Sequence, residues 1–128
     1  GERKEVLLPG SQDENLLQMH IFPCENGDEF PKNQYTKWFD YDKIKGTLSL
    51  RHRQPGDYLT LPSGGRKTLK SWMIDEKIPR QEREQIWLLA EEKHILWIVG
   101  HRISAYYKIT EQTKTILEVE FNGGKSSG

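Results

Sequence analysis

The chain is poor in cysteine, in net charge and in apolar residues. Cys24 is the only cysteine in 128 residues, so no intramolecular disulfide can form, and a reducing cytosol is the natural setting. The histidines His20, His52, His94 and His101 form no pair at ligand spacing, and no His-Glu-x-x-His occurs, so no metal site is expected. Lys+Arg and Asp+Glu both number 19. That balance excludes a uniformly basic nucleic-acid binder but not a local basic patch, because affinity depends on local phosphate contacts. The hydrophobic share is 34% and the mean hydropathy -0.80. No run is long and apolar enough to span a membrane, and no secretory signal precedes the first strand, so a cytoplasmic protein is expected.

What is present is aromatic. Four Trp, five Tyr and four Phe offset the lean composition, since each ring buries a large area. The length suits one compact domain or two very small ones, able to bury roughly two thirds of the unfolded surface. An ordered chain is expected. The first five residues look like a cut made upstream of a strand, and residues 122–128 read as a flexible tail.

Hydrophobic periodicity divides the chain into three stretches. In the first, Val6-Leu7-Leu8 stops at Pro9-Gly10, and Leu17, Met19 and Ile21 share one strand face before Pro23. Asn26-Gly27-Asp28 signals a turn. Tyr35, Phe39 and Tyr41 alternate with Thr36, Trp38 and Asp40. Leu48, Leu50 and His52 share a face opposite Ser49, Arg51 and Arg53, until Gln54-Pro55-Gly56-Asp57 ends the strand. In the second stretch the period becomes helical over Lys67–Lys77. Leu69, Trp72, Met73 and Glu76 lie on one side, Lys67, Lys70, Ile74 and Lys77 on another, with Thr68 or Ser63 as N-cap. Pro79 ends that helix and opens a short second one through about Ile86. In the third, residues 87–90 and 95–99 form a hairpin across Glu91-Glu92-Lys93. The second arm is apolar on both faces and belongs in the centre of a sheet. Leu117, Val119 and Phe121 face inward, Glu118 and Glu120 outward. The sum is α+β: a mostly antiparallel, sandwich-like β framework with a helical hairpin inserted around residues 67–86.

No catalytic constellation emerges. Ser63-Gly64-Gly65-Arg66-Lys67-Thr68 hints at a phosphate loop but lacks the Gly-Lys-[Ser/Thr] triplet of a Walker loop. It also has Lys-Thr where a pyrophosphatase-type loop has Asp-Ser. A glycine turn before a helix is the plainer reading, with Arg66, Lys67 and free N–H groups able to hold one phosphate. Cys24 has no base near it in sequence, and Asp40, Asp42, Glu91 and Glu92 read as solvated turn charges. His52 reads as a hydrogen-bonded structural histidine. No catalytic residue and no cofactor site is expected in this chain.

Charge placement is more informative. Between residues 51 and 70 the bases are Arg51, Arg53, Arg66, Lys67 and Lys70, and the one acid is Asp57. Lys77, Arg80, Arg83 and Arg102 follow. These side chains form either a cationic surface that meets phosphates or a solvated helix face balanced by Glu76, Glu82 and Glu84. Charge alone leaves the two readings even.

The stretch Leu50-Arg51-His52-Arg53-Gln54-Pro55-Gly56-Asp57, then Gly65-x-Lys67-x-Leu69-Lys70, Lys77-Ile78-Pro79, Arg83 and Trp97-Ile98-Val99-Gly100-x-Arg102-Ile103, resembles the C-terminal domain of tRNA(Ile)-lysidine synthetase. The resemblance covers about residues 47–110. It implies a bacterial, cytosolic parent, an ATP-dependent ligase that attaches lysine to the wobble cytidine of an isoleucine tRNA. ATP and magnesium would belong to a catalytic domain that this chain lacks. The implied role here is to grip the tRNA on its acceptor-stem side. Residues 1–34 would be lead-in strands or an interdomain segment, and residues 35–121 the tRNA-binding domain. By match to the motif, Arg51, Arg53, Lys67, Lys70 and Arg83 rank first as RNA contacts, and Arg66, Lys77, Arg80 and Arg102 second. Gly56 and Gly65 read as turn formers, and Leu69, Ile78 and Trp97 as core. Trp72 reads as core ahead of a stacking platform for an end base. The competing reading is a protein–protein or homodimer module, motivated by the aromatics Tyr35, Trp38, Tyr106 and Tyr107.

Overall fold

The computed structural model describes residues 4–6, 16–25 and 27–123. The chain divides into two compact units, one of residues 46–106 and one built from both chain ends, 1–45 with 107–128. This division differs from the expected boundary near residue 34. The reason is strand pairing: the segment read as a lead-in joins the same sheet as the C-terminal strand.

The unit built from the chain ends is a four-stranded antiparallel sheet. Its strands are β1 (Lys4–Val6), β2 (Leu17–Pro23), β3 (Thr36–Asp40) and β10 (Thr115–Phe121), in the order β1-β2-β10-β3. The register sets Leu117 opposite Ile21 and Phe39, and Val119 opposite Met19. Phe39, Leu117 and Val119 are fully buried and Met19 nearly so. Alternation along β10 therefore specifies the register, since a slip by one residue would carry Leu117 and Val119 to the opposite face and bring Glu118 and Glu120 onto this one. Ile116 and Phe22, opposite each other on the other face, are buried too. The strand expected through Tyr41 ends one residue earlier, in a 3-10 turn over Tyr41–Lys43. Asp40, expected as a solvated charge, is buried: it caps that turn by accepting from the Asp42 N–H and from the Thr113 hydroxyl. A buried carboxylate needs such donors, because an unsatisfied one costs its full desolvation. At the expected turn, Gly27 has φ +88 and the Asp28 carboxylate accepts the Glu25 N–H. Leu7 and Leu8 lie outside the described residues.

Residues 46–106 form a mixed sheet of β4 (Leu48–Arg51), β5 (Tyr58–Thr60), β6 (Arg66–Thr68), β7 (Leu88–Glu91), β8 (His94–Ile98) and β9 (Arg102–Ile103). The order is β4-β7-β8-β5-β6, with β9 paired to β8. All pairs are antiparallel except β5 with β8. The apolar strand β8 sits inside the sheet as its sequence requires, with Leu96, Trp97 and Ile98 fully buried and Ile95 nearly so. Two helices follow β6: α1 (Leu69–Asp75) and the single turn α2 (Arg80–Arg83). Leu69, Trp72 and Met73 of α1 pack into one cluster with Leu59, Leu88, Ala90, Ile95 and Ile98. Burial of each large side chain there is worth about 1.5–3 kcal/mol. Trp72 is thereby assigned to the core. His52 donates through Nδ1 to the Ile86 carbonyl at 3.1 Å and packs on the Trp87 ring, as a structural histidine would.

The helix begins later than its periodicity suggests. Lys67 is in strand β6, opposite Leu59, and Thr68 is the N-cap, its hydroxyl accepting the Ser71 N–H. Gly64, at φ +96, turns the β5–β6 hairpin, with Leu61 and Gly65 joined by a backbone bond. The Gly64-Gly65-Arg66-Lys67 stretch is thus a hairpin and strand, with no helix N-terminus in it. At the other end, Lys77 adopts φ +56. Its N–H bonds the Ile74 carbonyl and the Ile78 N–H bonds the Met73 carbonyl. That pair of bonds closes a helix end that usually carries glycine.

Candidate nucleic-acid interface

The cations expected on one surface separate into three groups. Arg51 sits at the end of β4 and turns inward to Asp57. The turn between them has Pro55 and Gly56 at its centre, with Gly56 at φ +87 and the Asp57 N–H bonded to the Gln54 carbonyl. Proline fixes the first central residue and glycine permits the second, which is the chemistry of a type II turn. The turn brings the Asp57 carboxylate back onto Arg51. Both guanidinium terminal nitrogens donate to it at 2.9 Å, and they also donate to the carbonyls of His52 and Glu92. The Asp57 carboxylate also accepts the Gln54 N–H. Its side chain is 1% exposed, and that of Arg51 15%. Arg51 is therefore a strut that ties the β4 end to the β7–β8 turn.

Two further first-ranked cations are partly engaged. Arg53 lies beyond the end of β4, so it shares no strand face with Arg51. Its Nε donates to Glu84 at 2.6 Å, and one terminal nitrogen approaches the Met73 sulfur at 3.8 Å. Lys67 pairs with Asp75 across the start and end of α1. The helix stripe expected for Lys67, Lys70, Ile74 and Lys77 does not form as such, because Lys67 is in a strand and Lys77 lies past the helix end.

The second group is differently placed. Among the described residues, Lys70 and Arg80 make no ion pair or side-chain hydrogen bond, and both are exposed. Arg83 uses Nε on the Ile78 carbonyl at 2.8 Å, which leaves its two terminal nitrogens uncommitted among the described residues. These three side chains, with Arg53, line an open pocket of about 1030 Å³. Its apolar wall includes Pro55, Leu69 and Ile74, and Ile74 is 52% exposed. Four cations thus face two carboxylates, Asp57 and Glu84, and Asp57 is already held by Arg51. Bases that lack partners around a concavity suit an anion with several oxygens.

Arg66 and Arg102 lie outside this pocket. The Arg66 guanidinium stands over the Tyr58 ring, 4.3 Å from its centroid. Arg102 is in β9 and half-buried, and Lys77 is exposed at the helix end. Of the aromatics expected at a protein interface, Tyr107 is fully buried, and Tyr35 and Trp38 are half-buried. The Trp38 indole N–H donates to Glu118, and its ring packs against Phe22 and Phe30. Only Tyr106 is exposed as expected, at 43%. Sequence reasoning missed Glu84 as the partner of Arg53 and the grouping of Tyr58, His94 and Tyr106. Burial holds His94 below its ordinary value of 6.5, Arg66 adds to that and Glu91 opposes it. Among the described residues, no three His, Cys, Asp or Glu side chains come together as a metal set, and no helix is long and apolar enough to cross a membrane.

Fold and site together define an α+β domain with a cation-lined pocket between a strand end and a helix pair. Comparison with known proteins narrows the class. A family model described as the TilS substrate C-terminal domain matches residues 48–120. The chain belongs to that family. It is 46% identical, over 92% of its length, to the tRNA(Ile)-lysidine synthase of Caldanaerobacter subterraneus subsp. tengcongensis, and covers 26% of that protein. It is 41% identical, over 98% of its length, to the tRNA(Ile)-lysidine synthase of Clostridium tetani, and covers 28% of it. The chain thus spans about a quarter of the length of these curated relatives. A crystal structure of a TilS C-terminal domain is similar in fold, with a TM-score of 0.60 and 26% identity, over 93% of this chain and 91% of that one.

Proposed function

We propose that this chain is the tRNA-gripping, non-catalytic part of a tRNA(Ile)-lysidine synthase, and that it holds the acceptor-stem side of an isoleucine tRNA. The reaction, an ATP- and magnesium-dependent attachment of lysine to the wobble cytidine, would be carried out in the cytosol by residues outside this chain. One observation carries the reading: Lys70, Arg80 and the terminal nitrogens of Arg83 have no partner among the described residues, and they surround one open pocket.

The physical logic is one of reach. Acceptor stem and anticodon lie at opposite ends of the tRNA, so one small catalytic domain cannot contact both. A second domain that grips A-form backbone adds affinity and raises the effective concentration of the anticodon at the reaction centre. Within the site, Lys70 and Arg80 would act as uncommitted phosphate contacts and Arg83 as a fork. Arg53 would exchange Glu84 for a phosphate. Lys67 would join only if it leaves Asp75, and Arg51 would contribute by shaping the corner. Arg66, Lys77 and Arg102 would contact backbone beyond the pocket.

The test is equilibrium binding of the chain to isoleucine tRNA and to an acceptor-stem minihelix at two salt concentrations. Similar, salt-steep binding to both supports the reading, and binding that ignores salt sinks it. A second reading, self-association, rests on Phe30, which is 61% exposed and packs on Trp38. Sedimentation of a strict monomer at high concentration would remove it.

A further inference from the structure

We propose that the exposed face of Tyr106, backed by the rings of His94 and Tyr58 and by Arg66, is a stacking site for an unpaired nucleobase. This rests on RNA being the ligand, but it concerns a different surface of the same unit and a different part of the RNA. The four groups form one column. Arg66 lies 4.3 Å from the Tyr58 centroid, Tyr58 lies 4.6 Å from His94 with planes 24° apart, and His94 lies 5.0 Å from Tyr106 with planes tilted by 44°. Strand alternation explains the placement. Leu59 faces the α1 cluster and is fully buried, so its neighbour Tyr58 projects from the other face of β5. Arg66, opposite Thr60 on β6, shares that face, as does His94, opposite Tyr58 on β8.

The column is held in place before any ligand arrives. His94 Nε2 lies 2.9 Å from the Thr60 hydroxyl and 3.4 Å from that of Ser104. The Ser104 hydroxyl also accepts the Tyr106 N–H. The imidazole therefore cannot rotate without losing polar partners, and the Tyr106 ring rests on a fixed neighbour. Burial favours the uncharged imidazole, which stacks without drawing in an anion of its own. Glu91, the carboxylate that acts on His94, also accepts the Gly46 N–H. At the far end Arg66 is exposed and has no carboxylate partner among the described residues.

A flat, pre-placed ring offers the π-face on which an unpaired base stacks, and the exposed Arg66 guanidinium at the far end of the series is a cation for a phosphate further along the strand. A base inside a duplex has both faces covered, so this surface selects single-stranded nucleotides, whereas the pocket cations meet backbone irrespective of pairing. One aromatic platform of this kind changes affinity about five- to a hundredfold.

The experiment has two arms. A short unpaired oligoribonucleotide is titrated into the chain and followed by NMR at the Tyr106 ring protons. A blunt acceptor-stem duplex and the same duplex with a single-stranded 3′ extension are compared by equilibrium binding to the wild type, Tyr106→Leu and Tyr106→Phe. The expected result is an upfield ring-current shift at Tyr106, tighter binding of the extended duplex, loss of that advantage in Tyr106→Leu, and its retention in Tyr106→Phe. Absence of the Tyr106 shift, or an extension advantage that survives Tyr106→Leu, overturns the stacking site. If the shift is present while the blunt duplex fails to bind, the pocket reading falls and the stacking site stands.

Discussion

The corner at residues 51–57 and the helix pair at 69–83 carry the same kind of side chain and use it in opposite ways. At the corner, Arg51 spends its terminal nitrogens on Asp57 and two carbonyls, nearly out of solvent. On the helix pair, Lys70 and Arg80 remain exposed and unpaired among the described residues. A basic residue can therefore belong to a family pattern for two physical reasons. One holds the fold, and the other leaves charge exposed at the surface. Three of the five cations ranked first by motif are paired with carboxylates of this chain, and one of the second rank, Arg80, is uncommitted at the pocket.

The contrast is sharpest at Arg51. Replacing Arg51 with alanine leaves the Asp57 carboxylate buried and without its main partner, at a cost of about 3 kcal/mol. Chemical denaturation should show that loss, while the salt dependence of RNA binding by the folded protein stays near that of wild type. A stable Arg51→Ala protein with a shallower salt slope would move Arg51 into the other class. The next effect is at Lys77. A non-glycine residue at φ +56 carries strain of about 1 kcal/mol, so Lys77→Gly should stabilise the fold by roughly that amount in chemical denaturation. If the substitution also weakens RNA binding, Lys77 is a contact as well as a helix stop.

A smaller effect separates the two uses of Glu84 and Arg53. Their pair is largely exposed at the carboxylate and contributes little to stability. Glu84→Gln should leave the melting temperature nearly unchanged and raise RNA affinity a few-fold, because a phosphate no longer competes with the carboxylate for Arg53. Unchanged affinity would show that Arg53 keeps its internal role when RNA binds. The pH dependence comes last. His94 is held below 6.5 in the folded chain, so as pH falls the unfolded chain takes up the proton first. Stability should therefore decline as pH falls through about 6.5 and toward the depressed folded value, and the decline should be shallower in His94→Gln. A pH profile identical in the two proteins would contradict the assignment.

Much of the fold was legible. Alternation in Leu117, Val119 and Phe121, and the apolar run at 95–99, marked the central strands, because a side-chain period of two has few alternative readings. The helix start was not, because Lys67, Lys70, Ile74 and Lys77 fit a helical stripe by spacing although Lys67 pairs in a strand with β5. That strand is only three residues long, too short for alternation to show. The site was half legible. The basic stretch was plain, but which cations are engaged depends on which carboxylates the fold returns to them. One clue was present: Asp57 is the lone acid among the bases of residues 51–70, just after a Pro-Gly turn. Glu84 and Asp75 gave no such clue, since they come to Arg53 and Lys67 only through the placement of α1 and α2.

The most direct test compares the slope of log affinity against log salt for an acceptor-stem minihelix in three proteins: wild type, Lys70→Gln/Arg80→Gln and Lys67→Gln. The expected slope is shallower by roughly two in the double variant, one for each phosphate left without its cation, and changes little in Lys67→Gln. Equal slopes in all three proteins, or a larger change in Lys67→Gln, would contradict the division between engaged and uncommitted cations.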